Sequence, residues 1–463
     1  MNEIIPLSDL VAGSYPAERP IAWVAGSAKT HSEFTAAVSG VYDRIIALDE
    51  ARWLLACERA WDFAIGFFGL LGAGKTVVIP PNFLPGTRNV LRSVFDAVLA
   101  DTEIPENDVR KLTIQDLPRS SGPPPRFPEH SIIEMFTSGT TGEPKQVVKR
   151  LSQFESEVSV LEQVFGERVG DAKILATVPH QHIYGLLFQI LWPLAASRPF
   201  LAEPCSSPDF LLAELTRAPH AVLVSSPAQL SRLHHLVNFS VFRGRLSQIF
   251  SSGGPLADED NEALVKALGE PPVEVFGSTE TGGVAWRQRR DGNDSDDWTL
   301  FPGVKASVDD SGGLVVCSLP TGGERVGIAD AVEVLSNGRL RLGGRLDRLV
   351  KLEEKRVSLA EIENFLRKHP LVYDAAVVLI KGHRSVLGAA VVLKEPDDHS
   401  LSESRRATVE SLRRHLAGRF EAVLLPRRWR FPAALPHNDR GKLLPEAVVQ
   451  LFGSNTEKKV EEK

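Results

Sequence analysis

The sequence predicts an α/β protein with a large N-terminal lobe of layered α/β subdomains, a β-rich subdomain within it, and a small α+β C-terminal lobe. Three observations predict it. Helix-period apolar segments alternate with short β-type runs from Trp53 to Phe250, glycine-punctuated β runs fill the stretch from Gly313 to Gly344, and a strand, helix, strand, strand, helix series follows Asp347. At 463 residues, 43% hydrophobic and 24% charged, the chain is too long for one core to be the default and has ample apolar material for two or three domains.

Over residues 53–71 the apolar residues recur at helical spacing; Gly72-Ala73-Gly74 breaks the pattern, and Thr76–Ile79 reads as a buried strand ending at Pro80-Pro81. Residues 132–136 predict a strand, 151–165 a helix, and 174–178, 221–224 and 248–250 further strands. This alternation implies largely parallel strands covered on both faces. Residues 313–316, 331–335 and 338–344 predict the β-rich subdomain. Residues 349–352 (strand), 359–368 (helix), 374–380 and 387–393 (strands) and 402–417 (helix) predict a compact unit long enough to fold alone. The boundaries are therefore expected at 1–346 and 347–453, with the Glu- and Lys-rich stretch 454–463 as a disordered tail.

A net charge of −6 offers no basic excess for phosphodiester backbones, so a small ligand is expected rather than nucleic acid. The start, Met1-Asn2-Glu3-Ile4-Ile5-Pro6, lacks a basic segment followed by an apolar run, and no stretch is long and apolar enough to span a membrane, so a cytoplasmic location is expected. Cys57, Cys205 and Cys317 are far apart and lack metal-ligand spacing, which predicts ordinary thiols rather than a disulfide framework or zinc site.

Two glycine-bearing stretches compete for a nucleotide. Gly69-Leu70-Leu71-Gly72-Ala73-Gly74-Lys75-Thr76 satisfies the GxxxxGK[ST] pattern of a Walker A loop. Its context contradicts it: a Walker loop follows a strand and opens a helix, whose N-terminal N–H groups meet the phosphates, whereas here a helix precedes and a strand follows. Thr137-Ser138-Gly139-Thr140-Thr141-Gly142-Glu143-Pro144-Lys145 comes directly after an apolar strand. Its glycines let main-chain N–H groups converge on an anion, its hydroxyls add donors, and Lys145 adds a point charge for a leaving pyrophosphate; the bland alternative is a surface linker.

This loop resembles the phosphate loop of the adenylate-forming (AMP-binding) superfamily of acyl- and aryl-CoA synthetases, luciferases and peptide-synthetase adenylation domains. Further stretches resemble that family in its order and rough spacing. They are Pro179-His180-Gln181-His182-Ile183-Tyr184-Gly185 beside the acyl pocket, Gly253-Gly254-Pro255-Leu256 on the adenine side, and Glu274-Val275-Phe276-Gly277-Ser278-Thr279-Glu280-Thr281, the aromatic-Gly-x-Thr-Glu motif. Gly344-Arg345-Leu346-Asp347 through Lys351 to Glu361-Ile362-Glu363 resembles the hinge, and Arg440-Gly441-Lys442 the C-terminal lysine loop. The resemblance covers essentially the whole chain.

The resemblance implies two lobes joined by a hinge at Asp347, with ATP at their junction. It implies that Thr137, Ser138, Gly139, Thr140, Thr141, Gly142 and Lys145 bind the phosphates, with Gly253, Gly254 and Phe276 on the nucleotide. Thr279 would contact the α-phosphate, Glu280 would hold Mg²⁺, an oxygen-ligand role suited to a hard cation, Asp330 the ribose hydroxyls, and Arg345 would assist. Lys442 would bridge carboxylate and phosphate during adenylation, and His182, Tyr184, Gly185, Ser278 and Gly282 would line the acyl pocket. Taken singly, His182 could equally be a satisfied core histidine, Glu280 a helix cap and Lys442 a solvated charge.

The chain departs from the family at Glu354, where a glycine usually lets a pantetheine arm approach, and in the Ile-Ala before Asp330, where Thr-Gly is usual. The implied reaction is ATP-dependent activation of a carboxylic acid, then transfer to a thiol of coenzyme A or an acyl carrier protein. Thr141-Gly142-Glu143-Pro144-Lys145, residues 180–188 and Leu191-Trp192-Pro193-Leu194 are similar to bacterial AMP-ligases of aryl polyene and xanthomonadin-type pigment pathways, which implies a hydroxybenzoate-like acid. A medium- or long-chain fatty acyl-CoA or acyl-carrier-protein synthetase, and a non-catalytic nucleotide-binding module, remain as alternatives.

Overall fold

A computed structural model of the chain describes all residues except 1–3, 13–15, 105–107, 123–124, 129–130, 139–143, 257, 291–296, 311, 346–348, 353–354, 383–384, 395–401, 437–444 and 454–463. Its contacts divide it into two units. The first holds Met1–Pro81, Leu91–Thr137 and Gln146–Leu346; the second holds Asn82–Val90, Ser138–Lys145 and Asp347–Lys463.

In the first unit, β1 (Pro20–Val24) and β2 (Ser27–Thr30) make a hairpin that leads into helix α1 (His31–Ile45). Thr30 Oγ1 accepts from the Glu33 N–H (3.2 Å) and Glu33 Oε2 accepts from the Thr30 N–H (2.9 Å), a capping box that fixes where the helix starts. Strands β3 (Arg52–Ala56), β4 (Thr76–Ile79), β5 (Ala97–Ala100), β6 (Arg110–Thr113), β7 (Ile132–Ser138) and β8 (Pro144–Arg150) form a six-stranded sheet in the order β6-β5-β3-β4-β7-β8. Its registered pairs from β6 to β7 are parallel.

Helix α2 (Ala60–Gly72) follows β3, and all 13 of its residues are buried, as a helix apolar all round apart from Asp62, which pairs with Arg59, must be. Residues 53–56 are strand rather than the start of that helix. Trp53-Leu54-Leu55-Ala56 is buried on both faces at the centre of the sheet, and an uninterrupted apolar run has no periodicity with which to separate a buried strand from a buried helix. The Walker-like glycines form the turn from α2 into β4, with Gly74 at φ +70° and Lys75 Nζ donating to the Leu48 carbonyl. The strand-to-helix order a Walker loop requires is absent there.

After helix α3 (Leu151–Val169), strands β9 (Lys173–Ala176), β10 (Phe200–Leu201), β11 (Ala221–Ser225), β12 (Leu246–Ser252), β13 (Val273–Ser278), β14 (Gly282–Arg287) and β15 (Thr299–Leu300) complete a nine-stranded sheet with the first hairpin, in the order β15-β14-β13-β12-β11-β9-β10-β1-β2. One apolar cluster joins the two sheets through α1, α2 and α3, with Phe34, Phe63, Phe67, Phe154 and Phe165 among its members. Burying each such side chain contributes about 1.5–3 kcal/mol. Strands β16 (Lys305–Val308), β17 (Gly313–Cys317), β18 (Arg325–Val334) and β19 (Leu340–Arg345) form the β-rich subdomain, a four-stranded antiparallel sheet. Cys57 and Cys205 are buried and Cys317 is half-buried.

The second unit contains the hairpin β20 (Leu349–Leu352) and β21 (Lys355–Ser358), helix α4 (Leu359–Arg367), and a three-stranded sheet of β22 (Val372–Ile380), β23 (Val386–Leu393) and β24 (Arg428–Arg430). Helix α5 (Ser402–Ala417) shares its apolar core with α4 through Ile362, Leu366, Leu412 and Leu416. Residues 82–90 attach to this unit through the Gly86 N–H, which donates to the Gly418 carbonyl at 2.5 Å. Among the described residues, no helix is long and apolar enough to cross a membrane. The tail 454–463 lies outside the described residues.

Candidate functional site

The two large sheets each contain a reversal of winding. The chain leaves β9 for β10 on one side and then crosses to β11 on the other; likewise it leaves β3 for β4 and then crosses to β5. In open α/β sheets such reversals open a crevice beyond the carboxyl ends of the strands, where ligands bind. The carboxyl end of β9 runs into residues 177–182 and that of β3 into Cys57, and His180 joins the two: its Nε2 lies 2.9 Å from the Cys57 carbonyl and its ring 4.7 Å from that of Phe63. Burial pulls its pKa down to about 4, so the imidazole is neutral at pH 7. His180 is therefore the satisfied core histidine, while His182, half-buried, stands at the N-cap position of the helix that follows without a side-chain capping bond.

That helix runs Ile183–Gly185 as α, Leu186–Leu191 as π and Trp192–Ala195 as α, and π segments inside helices cluster at functional sites. A Cβ on Gly185 would meet the Pro179 carbonyl oxygen at 2.2 Å, so only glycine lets the helix start lie against residues 179–180. Tyr184 packs on Phe188 with ring centroids 4.8 Å apart. Its buried hydroxyl lies by the Ser225 backbone without completing a hydrogen bond of good geometry, and burial raises its pKa well above the usual phenol value.

The neighbouring strands end at the same edge. Ser225 at the end of β11 is in register with Ser251 of β12, whose last residue is Ser252, and the Thr177 and Ser225 hydroxyls are 2.8 Å apart. Strand β12 runs straight into Gly253, at φ +95°, and Gly254. The exit of that loop is held by a group outside the predicted site residues: Glu274, 1% exposed, accepts from the Leu256 N–H at 3.0 Å and from Arg287 and Arg289 at 2.8–3.1 Å.

Strands β13 and β14 turn through residues 278–282. Ser278 and Thr281 tie the turn shut, the Ser278 N–H donating to Thr281 Oγ1 (3.1 Å) and the Thr281 N–H to Ser278 Oγ (3.2 Å), while Gly282 sits at φ +68°. Phe276 faces inward against Trp298 (5.9 Å), so Thr279 and Glu280 stand half-exposed at the tip. Behind the tip, Lys149 Nζ donates to the Glu280 carbonyl (3.0 Å) and the Pro320 carbonyl (2.7 Å), and Glu157 Oε2 accepts from the Gly283 N–H (2.9 Å). Burial lowers the Lys149 pKa and raises that of Glu157. The sequence carried a signal for both: Lys149 occupies the inward position after Val147 on β8, and Glu157 falls on the apolar face of α3 beside Phe154, Val158 and Leu161.

Asp330 on β18, 7% exposed, is the Cα partner of Arg345 on β19. Phe276, Val284 and Trp298 share an apolar cluster with Leu314, Val316 and Leu340 of that small sheet. Thr137, next to last on β7, is half-buried and Lys145 is exposed on β8; of Ser138 and Arg345 only the backbone is described. Gly139, Thr140, Thr141, Gly142, Asp347, Glu354 and Lys442 lie outside the described residues. A carboxylate beside a hydroxyl at an exposed tip is a hard-oxygen donor set, and one carboxylate with phosphate oxygens and waters is the usual protein contribution to Mg²⁺, so the residues fit that ion.

Residues 89–324 match the model of the AMP-binding enzyme family, and residues 361–442 that of the AMP-binding enzyme C-terminal domain. A 4-coumarate–CoA ligase of Cereibacter sphaeroides is 29% identical over 329 residues, 70% of this chain and 71% of that protein. A D-alanine–D-alanyl carrier protein ligase of Staphylococcus aureus is 24% identical over 435 residues, 84% of this chain and 87% of its own length. The fold is shared with an amide bond synthetase from Marinactinospora thermotolerans at a TM-score of 0.80 and 21% identity, covering 96% of this chain and 99% of that one. With its family models spanning both units and its fold shared almost end to end, the chain belongs to the AMP-binding enzyme family.

Proposed function

We propose that this AMP-forming ligase activates an aryl carboxylic acid of the hydroxybenzoate kind as its acyl-adenylate and passes the acyl group to the thiol of an acyl carrier protein or coenzyme A. The observation that carries the reading is the closed turn at 278–282, which presents Thr279 and Glu280 at the sheet edge to which β9 and β12 also bring their loops. In the first step a carboxylate oxygen of the acid attacks the α-phosphorus of ATP and pyrophosphate leaves. In the second, a thiol gives up its proton, its sulfur attacks the acyl carbon, and AMP leaves.

Thr279 contacts the α-phosphate and Glu280 holds Mg²⁺; when bound, that ion offsets the charge on the phosphate oxygens. Gly253 and Gly254 let the main chain approach the adenine, Asp330 takes the ribose hydroxyls, and Arg345 assists at the nucleotide. The loop 137–145 grips the pyrophosphate side and Lys442 bridges the reacting groups. Stabilising the charge that develops on the phosphates is the largest part of the work. An aromatic acid is supported by the Tyr184–Phe188 pair and by relatives that act on 4-coumarate and 4-chlorobenzoate; a carrier protein is supported by the D-alanyl carrier protein ligase. The pigment-pathway subgroup rests on the sequence of residues 141–145, 180–188 and 191–194 alone.

Acid-dependent pyrophosphate exchange tests the reading, run over hydroxybenzoic, cinnamic and fatty acids, with each acceptor then supplied to the best acid. Lys442→Ala should abolish exchange while leaving nucleotide binding intact; unchanged exchange would sink the assignment. Preference for a fatty acid would replace the aryl reading, and nucleotide binding without exchange on any acid would mark a non-catalytic module.

A further inference from the structure

A lysine ammonium in the interior is expensive unless something holds it, and Lys149 is 2% exposed. Both acceptors of its ammonium are main-chain carbonyls, one of them that of Glu280 at the tip of the 278–282 turn. Eight residues on, Glu157 is 5% exposed and takes the Gly283 N–H with one oxygen, while its Oε1 has no hydrogen-bond partner. Its carboxylate occupies the space where a Cβ on Gly282 would stand, with contacts at 2.5 Å. Two buried charges of opposite sign thus hold the same short turn by its backbone, one by a carbonyl and one by an N–H. Apolar residues at 149 and 157 would fill the volume at lower desolvation cost, but they could not set the orientation of the peptide planes on either side of Glu280.

We propose that Lys149 and Glu157 are a positioning pair for the adenylation step, aiming the side chains of Thr279 and Glu280 by fixing the backbone behind them. This rests on the reading that Thr279 and Glu280 serve the phosphate and its metal ion. Neither residue of the pair touches substrate. Their effect reaches the reaction through the turn, where a displacement of about 1 Å can cost on the order of 100-fold in rate.

The test compares the full-length wild type with Lys149→Met, which keeps the stem and removes the donors, and Lys149→Arg, which keeps charge and donors. Lys149→Met should lower kcat for acid-dependent pyrophosphate exchange on the order of 100-fold while the KM for the acid changes little. Lys149→Arg should recover part of that loss. Hydrogen exchange in the ligand-free protein gives a readout apart from turnover: amides of residues 278–284 should lose protection in Lys149→Met while those of 221–252 keep theirs. Glu157→Gln, which retains an acceptor for Gly283 without the charge, should show a smaller drop in kcat and serves if Lys149→Met does not fold. An active wild type with kcat unchanged in a folded variant, or protection lost equally across 221–252, overturns the pair alone. A wild type with no acid-dependent exchange overturns the adenylate reading and the pair's role with it.

Discussion

Helix α3 buries two glutamates, and they differ in how they are partnered. Glu162 spends both oxygens: Oε2 accepts from Arg198 (2.5 Å) and from the Trp192 indole N–H (2.8 Å), and Oε1 from Arg198 again (2.9 Å). Arg198 also donates to the carbonyls of Gly166 and Gly170. Glu157, one and a half turns earlier, has one oxygen on Gly283 and one without a partner, and burial raises its pKa. Each glutamate faces a glycine whose Cβ would strike it, Gly166 for Glu162 and Gly282 for Glu157. The fully paired charge holds a core together; the underpaired one holds the turn proposed to present Thr279 and Glu280. Incomplete satisfaction is tolerated where it keeps functional groups aimed.

The largest effect expected from that contrast is on stability. Arg198→Met leaves Glu162 buried without its cation and should cost about 3–5 kcal/mol, read from the denaturant midpoint, with kcat of the folded fraction unchanged. A drop in kcat without a shift in midpoint would break the comparison. Next comes the coupling of the other cluster. In a double-mutant cycle, Lys149→Met and Glu157→Gln should show an interaction of about 0.5–3 kcal/mol in the activation free energy of exchange, whereas Arg198→Met and Glu157→Gln, if structure and function are separate on this helix, should be additive within about 0.5 kcal/mol.

His180 sharpens the comparison through pH. The folded protein keeps this imidazole neutral down to about pH 4, whereas the unfolded chain takes up the proton near the ordinary histidine pKa of 6.5. The contribution is therefore present above pH 6.5 and is lost as pH falls from 6.5 toward 4. His180→Gln should flatten that part of the stability curve, and an identical slope in the variant would contradict a neutral buried imidazole. The smallest effect is expected at Lys75, whose ammonium is satisfied by the Leu48 carbonyl. Lys75→Ala should leave ATP affinity, measured by calorimetry, within about twofold; a marked loss would revive the Walker-like stretch 69–76 as a nucleotide site.

Much of the site was legible because its motifs are local. The aromatic-Gly-x-Thr-Glu run, the paired glycines at 253–254 and the Pro-His-Gln-His stretch are contiguous segments at strand ends, and strand ends are where a parallel sheet collects its ligand groups. Direction of chain was legible too, since helix before glycine and strand after it already set residues 69–76 apart from 137–145. The start of β3 was not, because an apolar run buried on both faces lacks a period.

The sequence by itself therefore determined the α/β class, the family and the candidate residues proposed for the nucleotide, since each depends on local propensity or on a contiguous motif. Tertiary structure alone decided which charges lie behind the reacting turn. Lys149, Glu157 and Glu274 are separated from their partners by 13 to 171 residues, and the partners include main-chain N–H and carbonyl groups that every residue possesses. Outside local motifs such as the Thr30–Glu33 capping box, side-chain pattern does not announce a bond to a distant backbone atom. Only the packing of α3 and β8 against the β13–β14 turn brings those atoms within reach, and with them the difference between a glutamate that stabilises and one that positions.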